Sequence, residues 1–92
     1  MTAKVRFFAR FRELLGTDIP VPVTGGSTVL SLIRDTALMN AEGYAAIFDE
    51  TGKFREFVIV MRNGRRVEHD EAAGIHVADG DEIAVFPPVA GG

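Results

Sequence analysis

The chain has 92 residues, of which 47% are hydrophobic and 25% are charged, enough for one modest core and too few for two. The absence of cysteine excludes a disulfide framework, a cysteine nucleophile and a thiolate metal site, and two histidines alone do not build a metal centre. A net charge of −3 argues against nucleic-acid binding and indicates a basic protein partner. No apolar run is long enough for a membrane span and no signal peptide is evident, so the expected compartment is the cytoplasm.

The first predicted elements are a strand, a helical turn and a second strand. Residues 4–10 alternate apolar and polar side chains as in a half-buried strand, with Phe8 as an exception on the polar face. Residues 11–16 are predicted to form a short helical turn closed by glycine. Residues 18–23 follow as a strand, and the two prolines in it place it at a sheet edge because proline lacks a backbone donor.

The middle of the chain holds the main predicted helix. Residues 28–39 carry apolar side chains at helical spacing after a threonine that can cap the first turn. The stretch 40–55 has a less regular pattern, which indicates a helical turn at 44–48 and then a loop.

The last third of the chain reads as strands and turns. Residues 57–62 form an apolar, β-branched run, and the pair Asn63-Gly64 predicts a type I′ hairpin because both residue types tolerate positive φ. The return strand begins at 65–67. Residues 78–81 predict another turn, and 82–86 a final strand.

The order of these elements predicts an α+β fold of the β-grasp, or ubiquitin-like, type. It would contain a mixed sheet of four to five strands with one main helix on one face. In this arrangement the first and last strands are central parallel neighbours, and their apolar side chains pack under the helix. Those side chains are Val5, Phe7, Ile83 and Val85.

The C-terminal end is predicted to be functional, with a domain over residues 1–86 and a flexible tail over residues 87–92. The double proline Pro87-Pro88 ends the last strand and makes the exit stiff and extended. Glycines at the end suit passage through a narrow channel because they have no Cβ atom. The bland alternative is an ordinary frayed terminus. The remaining residues of the tail are Val89, Ala90, Gly91 and Gly92.

The chemically distinctive group is the α-carboxyl of Gly92. It is an anion at neutral pH and needs activation before it can donate an acyl group. An acyl-adenylate made by a partner enzyme would be open to a sulfur nucleophile, giving a thiocarboxylate, or to an amine, giving an isopeptide. Because the sequence has no phosphate-binding loop, ATP and Mg²⁺ are expected on the activating enzyme and no cofactor on this chain.

Three segments make the chain resemble the MoaD/ThiS family of ubiquitin-like sulfur carriers, and within it the small subunit of molybdopterin synthase. They are residues 7–16 (FFARFRELLG), residues 79–86 (DGDEIAVF) and the PPVAGG ending. The middle departs from the pattern, since 40–56 is longer than expected and Asn63-Gly64 stands where many members have Asn-Gln. In these two features the chain is similar to archaeal small modifiers and other MoaD-like carriers, some of which are also joined to protein lysines.

The resemblance implies a cycle in which this chain performs no catalysis alone. An E1-like enzyme adenylates Gly92 and a sulfurtransferase converts it to a thiocarboxylate. The tail then enters the large subunit of molybdopterin synthase, where the sulfur passes to cyclic pyranopterin monophosphate. The implied alternatives are a modifier conjugated through Gly92 to lysines, or a sulfur carrier for tRNA thiolation, thiamine or cysteine synthesis. The remaining alternative function is that of a non-covalent interaction module with the β-grasp fold.

An exposed aromatic pair beside the tail is the predicted docking patch for these partners. Strand parity puts Phe8 and Phe86 on the face away from the helix, and neighbouring first and last strands bring them together. Alternatively they are scattered surface aromatics, or the middle segment covers them. Nearby arginines would pair with acidic groups of a partner, or are simply solvated. Those assigned to partner binding are Arg10, Arg62 and Arg66, with Arg6 and Arg65 as further candidates.

A second group of charges has a structural reading. Asp79, Asp81 and Glu82 form a carboxylate cluster, but Asp-Gly-Asp is first a turn sequence. We therefore expect no metal site here.

Overall fold

A mixed sheet organises the chain in the computed structural model, which describes residues 1–87. Its strands lie in the order β2-β1-β5-β3-β4, with β1 and β5 parallel and the other neighbouring pairs antiparallel. The predicted α+β, β-grasp arrangement with central first and last strands is therefore confirmed. The five strands are β1 (Thr2–Phe7), β2 (Asp18–Pro22), β3 (Ile59–Arg62), β4 (Arg65–Val67) and β5 (Glu82–Phe86).

Within the same residues the chain forms three helices, α1 (Ala9–Leu15), α2 (Val29–Ala37) and α3 (Ala41–Ile47). The longest is α2, which the apolar spacing predicted. Its first turn is fixed by a reciprocal capping box, in which the backbone N–H of Ser31 donates to Thr28 Oγ1 (3.1 Å) and that of Thr28 donates to Ser31 Oγ (2.9 Å).

One face of the sheet forms the core. The side chains of Val5, Phe7, Ile83 and Val85 are fully buried at 0% exposure, as the alternation along the first and last strands predicted. Burial of large apolar side chains of this kind is worth about 1.5 to 3 kcal/mol each. Burial of this layer therefore stabilises the pairing of β1 with β5.

The predicted first strand was too long at its C-terminal end. β1 ends at Phe7, because Ala9 adopts a left-handed backbone with φ of 51° and turns the chain into α1. Such a conformation costs an alanine about 1 to 2 kcal/mol, so the surrounding contacts must hold it. Arg10, predicted at the end of a strand, consequently lies in the first turn of a helix.

The turns agree with the sequence. Asn63 and Gly64 have φ of 49° and 82°, as a type I′ hairpin requires, and β4 returns antiparallel to β3. β2 lies at the edge of the sheet, as its two prolines predicted. A proline is tolerated there because an edge strand has only one neighbour to which it donates hydrogen bonds.

The middle segment is more regular than its sequence pattern suggests. Asn40 caps α3 by accepting a hydrogen bond from the backbone N–H of Gly43 (3.0 Å). A Cβ at Gly43 would lie 2.6 Å from Cγ of Leu15, so the missing side chain allows α3 to pack directly on α1. The segment therefore packs against the C-terminal end of α1, at Leu15.

Candidate functional site

An aromatic stack lies on the open face of the sheet, opposite the helix-covered core. The rings of Phe8 and Phe86 are 4.2 Å apart between centroids and nearly parallel at 11°. Both are half-buried. Strand pairing brings them together, since the N–H of Phe8 donates to the carbonyl of Val85 (3.3 Å) as the chain leaves β1. The predicted proximity of these two phenylalanines is confirmed.

The neighbouring strand enlarges this apolar surface. In the antiparallel register of β3 with β5, Ile59 is opposite Phe86 and Met61 is opposite Ala84. Residues directly opposite in a sheet share a face, so all four lie on the open side, and all are half-buried. The patch is therefore wider than the phenylalanine pair.

The patch is the floor of an open groove of about 960 Å³. Small side chains at the edges, Ala9 from α1 and Ala46 from α3, leave it accessible, and two guanidinium groups, of Arg10 and Arg55, also line it. Pro87, the last residue described, lines the groove too. The tail therefore starts at the edge of this surface.

The arginines assigned to partner binding occupy different environments. Arg10 is exposed and lines the groove. Arg62 does not line it: its Nε donates to Asp81 Oδ2 at 3.0 Å. Arg66 is on the open face by register with Met61 but also outside the groove, with its Nε 3.7 Å from Glu68 Oε1. A role for these three in partner binding stays a prediction.

The other two candidates lie elsewhere as well. Arg6 is paired with Asp18, its Nε lying 2.7 Å from Oδ1, and with Glu82 at 3.4 Å. Arg65 is exposed at the end of the hairpin, opposite Arg62. Neither side chain lines the groove.

Sequence reasoning missed six residues of the groove, which are Ala9, Phe11, Ala46, Arg55, Ile59 and Met61. The run FVIVM is continuously apolar, so it carries no alternation that would tell which members face the helix. Only the register with β5 separates them. Arg55 lies in the stretch whose pattern was hard to read, and its position depends on the packing of α3.

A match to a known family accompanies this geometry. The model of the ThiS family matches residues 5–92, which includes the strands, the groove and the terminal glycines. The chain belongs to the ThiS family.

Relatives in this family include both sulfur carriers and protein modifiers. The chain is 39% identical over the whole of both sequences to small archaeal modifier protein 3 of Haloferax volcanii. It is 38% identical to the molybdopterin synthase sulfur carrier subunit of Escherichia coli, with 97% of this chain and 98% of the relative covered. The predicted resemblance to ubiquitin-like sulfur carriers is thus confirmed at the level of the family.

The solved structure of a relative shows the same fold. The crystal structure of small archaeal modifier protein 1 from Haloferax volcanii matches with a TM-score of 0.83 and 30% identity over 100% of both chains.

The ThiS-family tail is the remaining part of the predicted site. Residues 88–92, which include Gly92 and four of the five residues assigned to threading, lie outside the described residues. Their predicted roles stay predictions.

The carboxylate cluster beside β5 has the structural role expected of a turn. Asp81 Oδ2 accepts from the N–H of Ala78 (2.8 Å) and Asp81 Oδ1 from the side-chain amide of Asn63 (2.9 Å), in addition to the Arg62 contact. Burial alone would raise the pKa of Asp81, but these three donors and the nearby positive charge together lower it. In residues 1–87 no three side chains of His, Cys, Asp or Glu are grouped to hold a metal.

No helix of this described part of the chain is long and apolar enough to cross a membrane.

Proposed function

We propose that this chain is a sulfur carrier that donates sulfur to cyclic pyranopterin monophosphate, as the small subunit of a molybdopterin synthase. The observation that carries the proposal is the groove next to the start of a Gly-Gly tail. The family match extends through Gly92, and one relative of nearly equal length is the sulfur carrier subunit of that synthase.

The chemistry requires one group of this chain, the carboxylate of Gly92. It attacks the α-phosphate of ATP on an E1-like enzyme, which also holds Mg²⁺, and pyrophosphate leaves. Sulfur at the sulfide level, supplied through a sulfurtransferase, attacks the acyl carbon and AMP leaves. The thiocarboxylate sulfur then bonds to a carbon of the pterin on the large subunit, and water cleaves the bond between the sulfur and the acyl carbon. The sulfur stays on the pterin and the oxygen of water restores the Gly92 carboxylate.

The groove fits the supporting task of holding the body while the tail works elsewhere. Four residues after the double proline, extended at roughly 3.3 to 3.6 Å per residue, reach about 13 Å. A partner bound at the Phe8 and Phe86 stack would thus need its active site within that distance. Aromatic side chains in a partly desolvated patch are typical anchors of such contacts.

Mass spectrometry of the intact protein tests the proposal. The chain is incubated with the E1-like enzyme of its own genome, ATP, Mg²⁺ and a sulfurtransferase, and compared with a variant that lacks Gly92. We expect the mass increase of one sulfur-for-oxygen exchange in the full-length chain alone. The thiocarboxylated form should then support molybdopterin synthesis from cyclic pyranopterin monophosphate by the large subunit.

The two steps of this test can fail separately, and each failure has a different meaning. If the thiocarboxylate forms but the synthase makes no molybdopterin, the chain carries sulfur for another product, such as thiouridine in tRNA, thiamine or cysteine. If no thiocarboxylate forms, the carrier function is wrong.

A second candidate is a protein modifier joined through Gly92 to lysines. It is favoured by the 39% identity, over full length, to small archaeal modifier protein 3. The adenylate is shared by both functions, and an amine replaces sulfur as the nucleophile. Proteolysis of proteins from the native host should then yield lysines bearing a C-terminal remnant of this chain, and these should be absent when Gly92 is deleted.

A further inference from the structure

The arginines of the described chain fall into two classes. Arg6, Arg62 and Arg66 each have a carboxylate within 4 Å. No such partner among residues 1–87 is present for Arg10, Arg12, Arg34, Arg55 or Arg65, and of these five Arg10 and Arg55 line the groove. Two guanidinium groups without an ion-pair partner in residues 1–87 thus line the groove beside the apolar patch.

Arg55 is held in place without using all of its donors. Its backbone N–H donates to the carbonyl of Ile47 (2.8 Å), and its Nε donates to the carbonyl of Ala45 (2.6 Å). Carbonyls in the last turn of a helix lack intrahelical donors, so a guanidinium there satisfies one and complements the helix end. Among residues 1–87 the two terminal amino groups of Arg55 have no hydrogen-bond partner, so they can make a planar, bidentate contact with a carboxylate.

The acid that lies electrostatically close to Arg55 is already engaged. Asp49 Oδ1 accepts from the hydroxyl of Thr51 (2.6 Å), from its backbone N–H (2.8 Å) and from the N–H of Lys53 (3.2 Å). The pKa of Asp49 is lowered mainly by the Thr51 hydroxyl, and Arg55 contributes least of the causes. Within residues 1–87 no ion pair of 4 Å or less joins Asp49 to Arg55.

Local charge at the groove is opposite to the charge of the whole chain. The chain carries −3, which by itself indicates a basic partner. Yet the groove is lined by two arginines and by no aspartate or glutamate. An apolar groove lined by two arginines favours a partner that presents an apolar side chain flanked by carboxylates. Charge complementarity sets the orientation of such a partner and disfavours basic surfaces.

We propose that Arg10 and Arg55 determine partner specificity by pairing with carboxylates of the activating enzyme, while an apolar side chain of that enzyme fills the groove between them. The inference rests on the proposed function only in its first step, since carrier and modifier alike require adenylation of Gly92. Arg55 comes from the middle segment, which thereby contributes one wall of the docking site.

Binding measurements with charge-reversed variants test this pairing. The affinity of the full chain for the E1-like enzyme of the same genome is measured by calorimetry without ATP. We expect Arg10→Glu and Arg55→Glu each to weaken binding about tenfold, equivalent to about 1.4 kcal/mol. Arg12→Glu is the matched control, because Arg12 is exposed, has no carboxylate within 4 Å among residues 1–87 and does not line the groove. It should change affinity less than about twofold. Wild-type affinity should fall as salt is raised.

Several outcomes would overturn the pairing. Equal effects of Arg55→Glu and Arg12→Glu would do so, as would a wild-type affinity that is independent of salt. Loss of self-association in the groove variants, with enzyme binding unchanged, would assign the groove to a second copy of this chain.

Two controls keep the result interpretable. If Arg55→Glu lowers the melting temperature, Arg55→Gln decides, because its amide can still donate to Ala45 while the charge is gone. Adenylation of wild-type Gly92 is measured in parallel. If the arginine variants lose binding but the wild type is never adenylated, the proposed function is wrong while the pairing stands.

Discussion

The two faces of strand β5 are used in different ways. On one face Ile83 and Val85 are fully buried beneath the helices, and on the other Ala84 and Phe86 are half-buried beside a groove. Successive side chains of a strand point to opposite faces, so the same five residues contribute to the core and to the open surface. The difference teaches that the face of an apolar residue here, rather than its type, decides whether it belongs to the core or to the surface beside the groove.

The largest expected effect on stability comes from the covered face. Ile83→Ala should lower the free energy of unfolding by about 2 to 5 kcal/mol, because it removes buried methylene groups and leaves a cavity. That is a large part of the roughly 5 to 15 kcal/mol of a typical domain. Urea unfolding checks it. A loss no larger than that of Phe86→Ala would contradict the division between the faces.

On the open face, a substitution should lower the affinity for the enzyme more than it lowers the free energy of unfolding. Phe86→Ala should weaken binding to the activating enzyme by about 2 kcal/mol, or roughly 30-fold, as expected of an aromatic anchor. Its cost in unfolding free energy should be about 1 kcal/mol, mainly from the lost stack on Phe8. Calorimetry with the enzyme and urea unfolding of the free chain measure the two quantities. Loss of stability without loss of affinity would make the stack structural.

Asp81, which directly precedes β5, should make the free energy of unfolding depend on pH. The folded-state pKa of Asp81 is lowered, so its contribution to stability is full above the unfolded value and is lost as pH falls below about 4. Asp81→Asn should cost about 1 to 3 kcal/mol at neutral pH, because charge-assisted hydrogen bonds are lost. Unfolding of both proteins between pH 7 and pH 2 should show the difference shrinking. A constant difference would mean that the charge of Asp81 contributes nothing.

The smallest effect is expected at Arg66. It lies on the open face but its ion pair with Glu68 is long, at 3.7 Å, with both side chains more than half exposed. Arg66→Ala should change the free energy of unfolding by less than about 0.5 kcal/mol. The sequence predicted a role for Arg66 in partner binding, whereas its position outside the groove predicts that Arg66→Ala changes enzyme affinity less than about twofold. A larger loss of affinity would extend the docking surface beyond the groove.

Much of the architecture was predictable from local patterns. The hairpin at Asn63-Gly64, the edge position of β2 and the alternation in β5 each follow from a rule about neighbouring residues. The end of β1 was not predictable, because Ala9 takes a left-handed backbone that its own residue type disfavours. Packing around that residue outweighs its local preference.

The groove could be predicted only in part. Phe8 and Phe86 were found because Phe8 directly follows β1 and Phe86 ends β5, and the fold class implies that these two strands pair. Ile59 and Arg55 were not, because one is within a run without alternation and the other in an irregular stretch. Of the arginines assigned to binding, Arg10 alone lines the groove, and no sequence pattern separates it from the others.

The sequence by itself determined the fold class, the turns and the chemistry available at Gly92, because these depend on residue types and on short spacings. Only the tertiary structure decided which side chains share the groove. The register of β3 on β5 places Ile59 opposite Phe86, and the packing of α3 on α1 brings Arg55 to the same surface. Contacts between residues so far apart in sequence depend on how whole elements pack, which no local pattern contains.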